Sequence, residues 1–106
     1  MTENIVVFIM AASDDEARRI ATSLVDERLA ACVNILPGCH SVFRWEGEVQ
    51  EEDEVLLIVK TRAAAFPALE RRVQELHSYD VPEIVALPIN RGAQSYLDWL
   101  VNQVAL

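Results

Sequence analysis

The apolar run IVVFIM at residues 5–10 decides the predicted fold. It contains no polar residue and is rich in β-branched side chains, which is typical of a strand buried on both faces. A second run of the same kind, VLLIV, occupies residues 55–59. We therefore predict that these two segments are the central strands of one sheet.

A helix is predicted directly after the first strand. Ser13 and Glu16 have the spacing of a capping box, in which each side chain accepts a hydrogen bond from the backbone N–H of the other residue. Apolar residues recur at helical spacing from there to about Leu29. This amphipathic helix is expected to bury one face against the sheet.

A long hairpin is predicted in the middle of the chain. Residues 31–45 have strand character and are interrupted by Pro37-Gly38, which indicates one long strand with a kink. Glu46-Gly47 can form a tight reversal because glycine accepts positive φ, and the chain then returns over residues 48–60. The first part of the returning strand is acidic, so we expect the tip of the hairpin to project into solvent.

Three further elements complete the chain. A second amphipathic helix is predicted over residues 66–76, a short edge strand over residues 84–89 and a last helix over residues 93–104. The order β-α-β-β-α-β-α matches the ferredoxin-like split βαβ arrangement of the α+β class, followed by an additional C-terminal helix. The expected strand order is 4-1-3-2, which places both apolar runs at the centre.

This topology leaves one face of the sheet without a partner. Both connecting helices of such a fold pack on the same face, yet the two central strands are apolar on both faces. Self-association covers the second face without requiring another gene product. The sequence therefore predicts a homo-oligomer.

Composition narrows the functional classes. The 106 residues suit a single domain, residues 1–106, and the formal charge of −8 disfavours nucleic acid and anionic membrane surfaces as partners. No apolar run is long enough for a membrane span, and the first residues lack the basic region of a signal peptide. We expect a cytoplasmic protein whose two cysteines remain thiols.

Candidate metal ligands are few. Cys39, His40 and His77 could converge on Cu or Zn, since thiolate and imidazole suit these ions. The alternative is that both hairpin residues have no metal role, because C-x-x-C and H-x-x-x-H spacings are absent. The acids at residues 46–54 also lack the spacing of a loop that surrounds one cation, and a solvated strand accounts for them.

The sequence contains neither a G-x-S-x-G nucleophile motif nor a glycine-rich phosphate-binding loop. It therefore gives no indication of enzymatic activity. Lys60 at the end of an apolar strand, Tyr79 and Trp45 are consistent with a binding crevice. Their structural alternatives are a lysine whose stem packs on apolar surface, a residue packing at a helix end and an interface aromatic.

Several segments together resemble the CutA family of divalent-cation tolerance proteins. They are residues 27–35 (ERLAACVNI), Pro37-Gly38, Ser41, Trp45-Glu46-Gly47, residues 54–61, His77 with Tyr79, residues 82–84, residues 87–89 and residues 96–100. The resemblance covers nearly the whole chain. It implies a homotrimer that is similar in architecture to PII-type signalling proteins, with clefts between subunits and no established reaction.

The resemblance also implies candidate site residues. Trp45, Lys60, Tyr79 and Glu83 match the polar set expected around an intersubunit crevice. Of the metal ligands found in some family members, only His77 matches, so it is expected to contribute more than His40 and Cys39. With no complete ligand set in one subunit, Cu(II) or Zn(II) is expected to bind weakly, and folding is expected to need no cofactor. The alternative function is a PII-like scaffold that binds a small molecule or a protein in its clefts.

Overall fold

The computed structural model describes residues 3–105. Its elements are strand β1 at Asn4–Ala11, helix α1 at Asp14–Asp26, strand β2 at Cys32–Trp45, strand β3 at Glu48–Arg62, helix α2 at Phe66–Leu76, strand β4 at Ile84–Pro88 and helix α3 at Gln94–Gln103. One turn of 3-10 helix, Ala63–Ala65, precedes α2. The predicted order of elements is confirmed.

The four strands form one antiparallel sheet in the order β2-β3-β1-β4, which is the predicted order. Paired residues of the two central strands, Val7 with Val59 and Ile9 with Leu57, are fully buried beneath α1 and α2. Each buried side chain of this size contributes about 1.5–3 kcal/mol relative to exposure. The main core therefore lies on the helix-covered face of the sheet.

The start of α1 is capped as predicted, but Glu16 has a different role. Ser13 Oγ accepts a hydrogen bond from the Glu16 N–H at 3.2 Å, which confirms the N-cap. The Glu16 carboxylate does not return to Ser13. It accepts from the Ala12 N–H at 2.8 Å and from the Ser78 N–H at 2.7 Å. It therefore joins the loop before α1 to the segment that follows α2.

Helix α1 ends three residues earlier than the periodicity indicates. Arg28 has a positive φ of 61°, and the N–H groups of Leu29 and Ala30 both donate to the Leu24 carbonyl, at 2.9 and 3.1 Å. This left-handed residue reverses the chain and directs Leu29 back towards the core. A glycine at this position would have indicated the end of the helix, whereas an arginine does not. The hydrophobic periodicity alone therefore predicted a helix that continues to Leu29.

The predicted kink in β2 is a β-bulge. Leu36 pairs with Leu56 and Cys39 pairs with Glu54, so β2 has one residue more than β3 between these pairs. Gly38 has a φ of +82°, which an L side chain rarely adopts. The extra residue keeps Cys39 on the same face of the sheet as Glu54 and Leu56, because paired residues share a face.

The tip of the hairpin is the predicted two-residue turn. Glu46 and Gly47 have positive φ values of 51° and 83°, as a type I′ turn requires, and Trp45 pairs with Glu48. The hairpin projects from the body of the subunit, whose longest dimension is 44 Å against 25 and 23 Å.

The sheet face opposite α1 and α2 is rich in apolar side chains. We call it the open face; its apolar members are Val6, Phe8, Met10, Leu36, Leu56, Ile58, Val85 and Leu87, which the strand pairing places on one side. Val85 and Leu87 on the edge strand are 49% and 52% exposed. Met10 on this face is buried, but the other apolar members are partly or largely exposed, so the structure leaves much of the face that the sequence predicted to need a partner open to solvent.

Helix α3 contributes a second, smaller core. Leu100 and Val104 are buried there with Ala31 and Ala65. Tyr96 and Trp99 remain about two-fifths exposed, with ring centroids 5.5 Å apart. Within residues 3–105, no helix is both long enough and apolar enough to cross a membrane.

Candidate ligand cavity and metal-binding residues

A cavity of about 970 Å³ lies between the hairpin and the segment at residues 79–83. The hairpin provides Trp45, Phe43 and Cys39, and the facing segment provides Tyr79 and Glu83. The β-bulge positions the hairpin side of this wall, because it keeps alternate residues of β2 facing the same way as the open face. The cavity is therefore a continuation of the open face towards the hairpin.

Tyr79 and Glu54 close the cavity at its base. The Tyr79 hydroxyl donates to Glu54 Oε2 at 3.0 Å, and Glu54 is only 8% exposed although it lines the cavity. Burial and the hydrogen bond to the carboxylate raise the pKa of Tyr79 to about 12. The phenol therefore remains protonated and is a permanent donor at neutral pH.

His77 is buried and uses both of its ring nitrogens. Nε2 lies 2.6 Å from the Met10 carbonyl, and Nδ1 accepts from the Tyr79 N–H at 3.0 Å. A carbonyl is only an acceptor and a backbone N–H only a donor, so these partners select the neutral tautomer with the proton on Nε2. A metal ion at Nδ1 would have to displace the Tyr79 N–H.

The carboxylate of Glu16 lies beside this histidine. Its Oε1 is 3.9 Å from Nδ1 of His77, and the residue is 5% exposed. Burial acts to raise the pKa of Glu16, but hydrogen bonds from Ala12 and Ser78 lower it below the ordinary value. Glu16 and His77 together hold the start of the 79–83 segment, and so the position of one cavity wall.

His40 lies outside the cavity, on the opposite face of the hairpin. Its Nδ1 is 2.9 Å from Asp53 Oδ1 and its Nε2 is 2.7 Å from Glu51 Oε1. Both hydrogen bonds raise the pKa of His40, and the bond with Asp53 has the larger effect. The group is exposed, with 56% of the imidazole accessible, so solvent screens both interactions.

The structure does not bring the three candidate metal ligands together. Cys39 faces the cavity, His40 is paired with acids on the other face, and His77 is buried against Met10. Within residues 3–105, no three or more His, Cys, Asp or Glu side chains are grouped closely enough to hold a metal ion.

Comparison with known proteins identifies the family. A family model described as CutA1 divalent ion tolerance protein matches residues 5–103. This chain belongs to the CutA1 family.

Solved CutA1 structures have the same fold. The divalent cation tolerance protein from Thermus thermophilus superposes with a TM-score of 0.95 at 57% identity, covering 96% of this chain and 99% of that one. CutA1 from Oryza sativa gives a TM-score of 0.95 at 47% identity, covering 98% and 95% of the two chains. Both the predicted fold class and the resemblance stated from the sequence are confirmed.

Among curated relatives, a divalent-cation tolerance protein CutA of Thermus thermophilus is 61% identical over 95 residues, which are 90% of this chain and 92% of the relative. A CutA of Arabidopsis thaliana described as chloroplastic is 48% identical over 99 residues, 93% of this chain. This chain spans about half, 54%, of that plant relative.

Within one subunit of this CutA1 family member, the four predicted crevice residues do not lie together. Trp45, Tyr79 and Glu83 line the cavity, whereas Lys60 bonds to Asn34 on the open face. Lys60 lies six residue steps along β3 from Glu54 at the cavity base, which is about 20 Å at the rise of an extended strand. Within one chain, Lys60 therefore lies far from the other three.

The sequence pattern does not single out two acids, Glu54 in the cavity and Glu16 beside the 79–83 segment. Glu54 was assigned to a solvated acidic strand, and Glu16 was assigned only to a helix cap. Glu54 carried one usable signal: it immediately precedes the apolar run at residues 55–59, so strand alternation places it at the edge of the open face. The contact of Glu16 with Ser78 had no local signal, because 62 residues separate them.

Proposed function

We propose that this protein is a homotrimer that binds divalent metal ions such as Cu(II) or Zn(II) weakly and takes part in the response to them, without catalysing a reaction. The descriptions of its relatives as divalent-cation tolerance proteins support the metal response. The proposal of self-association rests on the open face, whose apolar side chains are partly exposed in the single subunit. We also propose a cytoplasmic location and one domain over residues 1–106, as the composition indicates.

The amount of exposed surface supports self-association. The subunit exposes 6542 Å², whereas a compact monomer of 11.9 kDa exposes about 5,900 Å². The excess reflects the projecting hairpin and comes together with a sheet face that exposes apolar side chains. An obligate interface buries on the order of 2,000 Å² or more in total, which the open face and the hairpin together can supply. The threefold order follows from the family resemblance.

His40 is the residue that we propose as the main metal ligand. Its imidazole lies beside Glu51 and Asp53, so a metal ion that replaces a ring proton finds one carboxylate oxygen close by. The two acids face different ring nitrogens, and one ion therefore cannot gain both of them with the imidazole. This geometry supports weak binding. The resemblance put His77 first, but both of its ring nitrogens are already hydrogen-bonded, so we propose His40 instead.

Isothermal titration with Cu(II) and Zn(II) tests the metal proposal. His40→Ala should weaken binding severalfold, while His77→Ala, checked for folding by its melting temperature, should leave it unchanged. Binding of wild-type protein should fall as pH drops through the raised pKa of His40, because the ion competes with protons for the imidazole. Unchanged affinity of His40→Ala, or binding that is independent of pH, would contradict the assignment.

A second candidate function is favoured by the cavity. Its aromatic and acidic walls suit a small molecule, and in the trimer the cavity would open towards a neighbouring subunit. We propose that the neighbour supplies Lys60 to the crevice, because Trp45, Tyr79 and Glu83 of the same chain lie too far from it. In this alternative the protein is a PII-like scaffold, and metal binding is incidental.

A further inference from the structure

We propose that His77 is a proton-operated switch for the segment at residues 78–83. A proton on its Nδ1 exchanges one partner, the Tyr79 N–H, for another, the carboxylate of Glu16, and thereby releases the segment. This inference goes beyond the proposed function, since it requires neither a bound metal ion nor a ligand in the cavity. It rests on the hydrogen bonds around one buried imidazole.

The imidazole of His77 has no acceptor for a second proton in its present arrangement. Its side chain is completely buried, Nε2 donates to the Met10 carbonyl at 2.6 Å, and Nδ1 accepts from the Tyr79 N–H at 3.0 Å. A protonated imidazole donates from both nitrogens. Protonation therefore sets two N–H groups against each other at Nδ1, and the ring has to find another acceptor.

A charged acceptor lies beside Nδ1. Glu16 Oε1 is 3.9 Å from it, so a shift of about 1 Å brings the two atoms to the usual length of a charge-assisted hydrogen bond. Burial acts to raise the pKa of this carboxylate, but the hydrogen bonds from Ala12 and Ser78 hold it below the ordinary value. Glu16 is therefore charged when His77 takes up a proton, and the new ion pair is favoured over the neutral bond to Tyr79.

The groups around His77 come from several elements. Among the described residues, Glu16 of α1 has the one carboxylate within 4.0 Å of a ring nitrogen, while Arg19 of the same helix donates to the carbonyl that ends α2, at 3.4 Å. The ring of Tyr79 lies 4.7 Å from the imidazole, centroid to centroid, and links it to Glu54 of β3 through the phenol hydroxyl. Farther along the segment, the acidic residues are Asp80 and Glu83. A proton gained by the ring is therefore balanced by Glu16.

The exchange loosens the start of the segment. Residues 78–83 belong to no helix or strand, and the Oε1 atom that the imidazolium attracts is also the acceptor of the Ser78 N–H, at 2.7 Å. The Ser78 N–H has to share this oxygen at the moment when the Tyr79 N–H loses Nδ1. Movement of the Tyr79 backbone also draws the phenol away from Glu54. Acidification therefore opens the cavity at its base.

His40 provides a contrast within the same chain. Both of its ring nitrogens lie beside carboxylates, with Asp53 Oδ1 at 2.9 Å and Glu51 Oε1 at 2.7 Å. A protonated His40 therefore keeps both partners, and its charge changes without a change of contacts. The exchange of partners is specific to His77, because one of its nitrogens faces a donor.

Nuclear magnetic resonance of the ¹⁵N-labelled full chain in metal-free buffer tests the proposal. Between about pH 8 and about pH 4.5, which brackets the range in which histidines titrate, the ring nitrogens of His77 should reach the chemical shifts of an imidazolium. The Ser78 and Tyr79 amides should shift with the same midpoint, and their hydrogen exchange, corrected for the intrinsic effect of pH, should become about tenfold faster.

Two results would overturn the proposal. In the first, His77 protonates while the Ser78 and Tyr79 amides keep their chemical shifts and their protection. In the second, His77 stays neutral in the folded protein down to the lowest pH of the titration.

Three variants locate the switch. His77→Asn keeps a carbonyl acceptor for the Tyr79 N–H but takes up no proton, so protection of this amide should vary by less than about twofold over the pH range. Glu16→Gln removes the charged acceptor and should suppress the response in the same way, which keeps the test decisive if His77→Asn fails to fold. His40→Asn removes the other histidine of the chain and should respond as the wild type does. A full response in His77→Asn or Glu16→Gln, or its loss in His40→Asn, would refute the assignment.

Discussion

Leu57 and Ile58 are neighbours on β3 whose side chains lie on opposite faces of the sheet, so the same substitution at each tests both faces separately. Leu57 is fully buried in the main core, whereas Ile58 lies on the open face and is only partly buried in one subunit. The perturbation is Leu57→Asp in one variant and Ile58→Asp in the other.

The expected magnitudes differ because the surroundings differ. Truncating a fully buried leucine costs about 2–5 kcal/mol, and an unpaired charge left in that core costs several more. A domain is stable by only about 5–15 kcal/mol, so Leu57→Asp should unfold the subunit. At Ile58 the isolated subunit loses only about 1 kcal/mol, but in the trimer a carboxylate enters an apolar interface once per subunit.

Light scattering on a sizing column, together with circular dichroism melting, distinguishes these results. Ile58→Asp should give a folded monomer, and Leu57→Asp should give no cooperative melting transition. Val25→Asp serves as the control: Val25 is 43% exposed on α1, so this variant should remain a trimer with nearly wild-type stability. A trimeric Ile58→Asp with an unchanged melting temperature, or a normally folded Leu57→Asp, would refute the assignment of the two faces.

Three further predictions concern the elements that hold the cavity wall. Ser13→Ala removes the side-chain acceptor of the Glu16 N–H and should reduce the free energy of unfolding by about 1 kcal/mol in urea titrations; an unchanged midpoint would contradict the cap. Because the folded-state pKa of Glu16 is lowered, its contribution to stability is present above its unfolded-state pKa and is lost as pH falls through the folded-state value; Glu16→Gln should flatten the acid limb of a stability profile measured between about pH 2 and 6. In an absorbance titration, Tyr79 should ionise at about pH 12, and Tyr79→Phe should remove that step; a Tyr79 transition near its ordinary pKa would contradict the bond to Glu54.

The strands and their order were predictable because their signals are local. Each signal lies within a few residues of the element that it predicts. The structure confirms the two apolar strands, the turn at Glu46-Gly47 and the interruption of β2 at Pro37-Gly38. The predicted end of α1 was three residues too late, because Arg28 adopts a left-handed conformation that local composition does not indicate.

The candidate site was less predictable because it depends on long-range contacts. The cavity brings Trp45 of the hairpin to Tyr79 after α2, and the resemblance, not the periodicity, linked them. The carboxylate of Glu16 reaches Ser78, so only the folded chain shows that it holds a cavity wall. Lys60 matched the predicted crevice in sequence, but within the subunit it bonds to Asn34 on the open face, six positions along β3 from Glu54.

The oligomeric state of the wild-type protein tests the central claim most directly. Multi-angle light scattering at micromolar concentration and neutral pH should give a mass of about 36 kDa, three times the 11.9 kDa subunit, because we propose that two other copies of the chain cover the apolar open face. A mass that stays near 11.9 kDa over the same concentration range would contradict the account.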